Sequence, residues 1–235
     1  GDVLLFNYQY RPVDTLFRSR DHGKTWAKEK ITIKEDKNGY QPTFNPACDP
    51  GTTLKYGPKK GRLLMPARVF VGSAKEDQNM KYFDQHYTSA LYSDDHGKTW
   101  MPSEPFPLNG TGESGLVEML DGSIYHCSRT HIRPGNKRIA WSYDGGETWE
   151  GEYEDKYLPD GPPDVYGCNS GLVRLPIEGH DVLIFSSPKD RLATQRNTIG
   201  QYRRPIAVRA SFDGGKTWPL VRTLPDPNNE MAGYT

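Results

Sequence analysis

"SFDGGKTW", residues 211–218, is one of four near-copies in a chain of 235 residues; the others are "SRDHGKTW" at 19–26, "SDDHGKTW" at 93–100 and "SYDGGETW" at 142–149. The shared pattern is S-x-D-x-G-x-T-W, and successive copies start 74, 49 and 69 residues apart. Repeats at that spacing belong to solenoids and propellers. The pattern has a local physical reading. Ser and Asp side chains bond backbone N–H groups across a hairpin, and Gly supplies the positive φ of the turn. Thr and Trp then begin the return strand, with the indole packed over the turn. Four charged active sites in one small domain would be odd, whereas four self-bonded hairpins would not. The repeat is architecture, and any chemistry lies between its copies.

Working outward, a strand-like stretch precedes each copy: "TLFR", "TSALY", "KRIAW" and "PIAVRA". Apolar and polar residues roughly alternate there, the period of a strand. After each Trp the chain turns polar and often meets Pro. The best helical pattern, "AKEDQNMKYF" at 74–83, reads as a loop. Twenty-four Gly, 19 Pro and 11% aromatic residues suit short strands joined by tight turns. The expected fold is all-β, with residues 1–235 as a single domain.

Composition excludes several classes of function. Thirty basic and 30 acidic residues cancel, so the electrostatic footprint of a nucleic-acid binder is missing. No apolar run approaches the roughly 20 residues that span a bilayer. Cys48, Cys127 and Cys168 are widely spaced, which argues against a zinc pair and leaves room for at most one disulfide. The six histidines show no metal-ligand spacing, and His22 and His96, inside the repeats, read as turn residues. Neither a Gly-rich phosphate loop nor a G-x-S-x-G elbow occurs. Asp49 and "DPNNE" at 226–230 fix no calcium coordination set. No metal or cofactor is expected. "NGT" at Asn109 is a glycosylation sequon, relevant only in a eukaryotic secretory host. The opening "GDVLLFNYQY" has neither Met nor a leader pattern, which says nothing about the native start.

The repeat resembles the Asp-box, or bacterial neuraminidase repeat, of the sialidase superfamily. That resemblance implies a six-bladed β-propeller with the boxes away from the active site. At roughly 40–60 residues per four-stranded blade, the chain would cover about four blades and be incomplete at both ends. The likeness continues between the boxes. "GTGESGLVEMLDGSIYHCSRT" at 110–130 is similar to a family stretch in which Glu113 matches the acid that assists the nucleophile. Arg129, sixteen residues on, matches an arginine of the triad that binds the sialic-acid carboxylate. "YRRPIAVRASFDGGKTW" resembles the segment that supplies another triad arginine, here Arg203 or its neighbour Arg204. "AGYT" at the end of the chain resembles the context of the catalytic tyrosine and makes Tyr234 the nucleophile. The first triad arginine has no counterpart in the chain. Asp14, the only acid between Asp2 and the first box, is the acid/base candidate, although it also fits an aspartate belonging to the strand.

The chemistry explains these residue types. Sialic acid carries a carboxylate on its anomeric carbon, and guanidinium forks bind a carboxylate bidentately where lysine cannot. A carboxylate nucleophile would be repelled, whereas a neutral tyrosine is not; sialidases are the tyrosine exception among glycosidases. The phenol, with a pKa near 10, needs a base, and Glu113 fills that role. The resemblance therefore implies a retaining exo-sialidase acting on sialylated glycoconjugates, with no protein partner implied. Two alternatives stay open: a non-catalytic propeller that binds a glycan or a protein, and a related glycosidase or lyase for another acidic sugar.

Overall fold

The computed structural model describes residues 1–6, 14–44, 50–72, 81–132, 135–161, 167–189 and 205–225. Seventeen strands, and no helix, occur among them. The first sheet holds β1 (Val3–Phe6), β2 (Thr15–Ser19) and β3 (Ala27–Lys30). The second holds β4 (Thr32–Ile33), β5 (Thr43–Phe44), β6 (Thr52–Thr53), β7 (Leu63–Val69), β8 (Tyr87–Ser93) and β9 (Thr99–Pro102). The third runs β10 (Thr111–Glu118), β11 (Ile124–Thr130), β12 (Asn136–Ser142) and β13 (Glu150–Pro159). The fourth runs β14 (Gly171–Leu175), β15 (Val182–Pro188), β16 (Ile206–Ser211) and β17 (Leu220–Thr223). The third and fourth sheets are complete antiparallel meanders, the blade of a propeller. All four strand-like stretches flagged in the sequence are strands that lead into a box: β2, β8, β12 and β16. Most of the segment 74–83 lies outside the described residues.

The sheets pack face to face through three apolar clusters, each holding one box tryptophan. Trp100 packs with Leu16, Phe44 and Leu91, Trp149 with Leu64, Phe106 and Ile124, and Trp218 with Tyr125, Leu183 and Phe185. These three indoles are 1–7% exposed. Burying an indole of that size removes on the order of 200 Å² from water, so each hairpin is also a wedge against the blade before it. Trp26, in the first sheet, is 41% exposed.

The boxes close as the sequence pattern suggests. In the third, Ser142 Oγ donates to Asp144 Oδ1 at 2.8 Å and accepts the Gly146 N–H at 2.8 Å, while the Thr148 hydroxyl donates to Asp144 Oδ2 at 2.6 Å. The fourth position of every copy has positive φ: 58° at His22, 61° at His96, 81° at Gly145 and 70° at Gly214. The two histidines are indeed turn residues, holding a left-handed conformation that glycine adopts more easily.

These contacts make the boxes acid-sensitive. The Thr25 hydroxyl, with the Thr25 N–H and Ser19, holds the Asp21 carboxyl down at about 2. Burial pushes Asp95, Asp144 and Asp213 upward, but hydrogen bonds from the box Ser, Thr and backbone leave all three below the usual carboxylate range. Folded-state values below unfolded ones contribute stability that is full above pH ~4 and lost as pH falls through the folded values. The urea midpoint is therefore expected to fall between pH 4 and about 2, and less so in an Asp144→Asn variant. A midpoint flat across that window would contradict this reading.

Candidate active site

Strand direction sorts the molecule into two rims. β12 and β16 run toward their boxes, and the boxes of neighbouring sheets touch through Arg18 and Arg62, so all four share one rim. β10 begins, and β11 ends, at the opposite rim. Glu113 and Arg129 meet there.

Their meeting depends on a break in register. Thr111 pairs with Thr130 and Ser114 with Ser128, so Gly112 and Glu113 together face Arg129. Two residues opposite one is a bulge, which bends the strand and re-aims a side chain. Arg129 Nη1 donates to Glu113 Oε2, with the side chains 5% and 12% exposed. The sixteen-residue spacing is thus a hairpin whose turn, at Asp121–Gly122, brings an acid and a guanidinium together.

The bulge is braced from both sides. A Cβ on Gly112 would lie 2.2 Å from His131 Nε2, so only glycine lets that ring lie against the strand. From the second sheet, the Thr88 hydroxyl donates to the Gly112 carbonyl at 2.6 Å and lies 2.7 Å from Ser128 Oγ. His131 also packs on Phe83, with centroids 4.5 Å apart.

The surroundings are nearly dry and carry buried cations. Arg68, at the end of β7, is 6% exposed and lies over Phe70 at 3.8 Å. Burial first, then Arg129 and Arg68, pushes His131 well below the ordinary imidazole value. Burial and Arg68 pull His86 down to about 4. Both rings are therefore neutral at pH 7 and add no further positive charge. Where water is scarce a guanidinium attracts an anion far more strongly than at an exposed surface. Behind the site, the Lys137 ammonium pairs with Asp160 at 2.6 Å, at 1% and 0% side-chain exposure. Asp160 also accepts the backbone N–H of Thr130 at 2.7 Å and of Cys168 at 3.1 Å. This pair anchors the end of β11, the strand that carries Arg129.

Among the sequence-derived residues, then, Glu113 and Arg129 come together. Asp14 is exposed just before β2, at the end of that strand away from its box, and its carbonyl accepts the Ile31 N–H at 2.7 Å. Arg203, Arg204 and Tyr234 lie outside the described residues, as does Cys48. Sequence reasoning passed over Arg68, His131 and the Lys137–Asp160 pair. Gly112 did leave a signal, because a glycine inside a strand pattern marks a bulge.

Known proteins extend the picture. A family model described as "BNR repeat-like domain" matches residues 6–235. The chain is 31% identical over 214 residues to a sialidase of Micromonospora viridifaciens, covering 88% of this chain and 29% of that protein. It is 29% identical over 225 residues to a sialidase of Paraclostridium sordellii, covering 92% and 51%. Among solved structures, the Hadza microbial sialidase Hz136 superposes with a TM-score of 0.67 at 26% identity, covering 89% of this chain and 36% of that one. The chain thus spans between about three-tenths and a half of the length of these relatives.

Proposed function

Because the chain belongs to the BNR repeat-like family of the sialidase superfamily, we propose that its parent protein is a retaining exo-α-sialidase that releases terminal sialic acid from glycoconjugates. The observation that carries this reading is the Glu113–Arg129 contact across the bulge, on the rim away from the boxes. Arg129, joined by Arg203 or Arg204, clamps the substrate carboxylate. Glu113 takes the phenolic proton of Tyr234 as the phenolate oxygen attacks the anomeric carbon. The glycosidic bond breaks through an oxocarbenium-like transition state, and the leaving oxygen takes a proton from the acid/base, for which Asp14 is the candidate. Water then opens the glycosyl–tyrosine bond, and the phenol is regenerated with retention of configuration.

The clamp is directly testable. Arg129→Lys keeps the charge and loses the planar fork. An unsaturated sialic-acid analogue is expected to inhibit this variant of the full-length protein about 10- to 100-fold more weakly, the loss of one charge-assisted pair. An unchanged inhibition constant would count against a carboxylate clamp at Arg129.

A further inference from the structure

Thr88, in β8 of the second sheet, reaches both strands of the hairpin that carries Glu113 and Arg129. Its N–H donates to Thr111 Oγ1 at 2.8 Å, on the residue of β10 just before the bulge. Its hydroxyl lies 2.6 Å from the Gly112 carbonyl, inside the bulge. The same hydroxyl lies 2.7 Å from Ser128 Oγ, on the residue of β11 just before Arg129. Its carbonyl accepts the Phe106 N–H at 2.9 Å. One side chain of a neighbouring blade thus spans both strands at the level of the Glu113–Arg129 contact.

The hydroxyl protons follow from what each group can do. A carbonyl only accepts, so the single Thr88 proton goes to Gly112, and Ser128 is then the donor to Thr88. In the order Ser128, Thr88, Gly112 each hydrogen bond polarises the next. Thr88, Ser128 and Thr111 are all 0% exposed, so bulk water does not share in these bonds. The ladder pairs Thr111 with Thr130 and Ser114 with Ser128 and skips the two residues between. The Gly112 carbonyl, buried in the skipped stretch, takes a donor from the neighbouring blade. A buried carbonyl deprived of its donor is costly. Carried on regularly from Thr111 and Thr130, the same ladder would set Glu113 opposite Ser128, on the other face of the sheet from Arg129.

We propose that Thr88 is a positioning residue for the reaction: its hydroxyl selects the bulged register and so holds the Glu113 carboxylate against Arg129. The role rests on the reading of Glu113 as general base. Threonine suits it, because the branched Cβ restricts the side chain to few rotamers. Valine has the same shape without the donor, so Thr88→Val separates the hydroxyl from the packing.

In the full-length protein, at a temperature where the variant is fully folded, Thr88→Val is expected to lower kcat for a fluorogenic α-sialoside by about 10- to 100-fold, as a misplacement of about 1 Å can. Thr88→Ser keeps the donor on a less rigid side chain and should restore kcat to within about 3-fold of the wild type. In a Glu113→Gln background, Thr88→Val should cost less than about 2-fold more, since residues acting through one group do not add. Equal losses in both backgrounds, or an unchanged kcat with a lowered Tm, would leave Thr88 a packing residue and overturn the proposal. Should Thr88→Val fail to fold, Ser128→Ala removes the donor to Thr88 and is expected to lower kcat by about 3-fold or more, again only where Glu113 is present; no loss would overturn the proposal.

A readout without turnover separates this role from the sialidase reading. In the nitrogen-15 spectrum of the arginine side chains, the Arg129 Nη signals should be resolved in the wild type and in Thr88→Ser, and merged by free rotation in Thr88→Val. Unaltered Arg129 signals in Thr88→Val would overturn the positioning role. The expected change in a wild type that cleaves no sialoside would uphold that role and remove only the general base.

Discussion

Glu113→Gln in the full-length protein is expected to cut hydrolysis of a fluorogenic α-sialoside by about 10²- to 10⁴-fold, the usual range for removing a positioned general base. Glutamine keeps the shape and an oxygen that can accept from Arg129 Nη1, so the bulge and its bracing by Thr88 and His131 should survive. What is lost is the ability to take a proton from the phenol. The loss should therefore fall on kcat, with KM little changed and the thermal transition intact. Near-normal turnover would show that Glu113 is only the counter-charge of Arg129, a buried pair with no part in chemistry.

The second large effect concerns the anchor behind the site. Lys137→Met would leave Asp160 charged, fully buried and without its cation. Removing one partner of such a pair costs about 3–5 kcal/mol, or a fall in Tm of roughly 10 °C for a chain of this size. The deficit should depend on pH with a definite sign. Burial raises the carboxyl of Asp160 even in the intact pair, where Lys137 pulls it down. Without the lysine it rises further. A raised folded-state value makes the penalty smallest at low pH, where Asp160 is protonated, and largest once pH has risen through that value. Urea unfolding of the variant at pH 4 and pH 7 measures this. A deficit below about 1 kcal/mol at pH 7 would mean that water or another donor replaces the ammonium.

Much of the architecture is legible in the sequence because it is encoded locally. The eight-residue box holds its own donors, acceptors and turn conformation, so four copies announce four hairpins on one rim. The alternating runs before Ser19, Ser93, Ser142 and Ser211 place the strand that enters each one. The spacing of Glu113 and Arg129 is likewise the length of one hairpin, with "DG" at its turn. What stays hidden depends on residues distant in the chain or on the third dimension. Lys137 in "KRIAW" looks like an exposed strand residue until Asp160 is found beside it. Arg68 and His131 belong to different blades, and only their packing makes one a buried cation and the other a neutral ring. Four identical tryptophans cannot reveal that Trp26 is far more exposed than the other three.

The central claim is a tyrosine nucleophile with retention, and trapping tests it most directly. The full-length protein would be incubated with a fluorinated sialoside whose glycosyl intermediate hydrolyses slowly, then digested and mapped by mass spectrometry. The expected result is one fluorosialyl adduct on the peptide containing Tyr234, absent from Tyr234→Phe. An adduct on a carboxylate instead, or steady turnover of an ordinary sialoside by Tyr234→Phe, would contradict it.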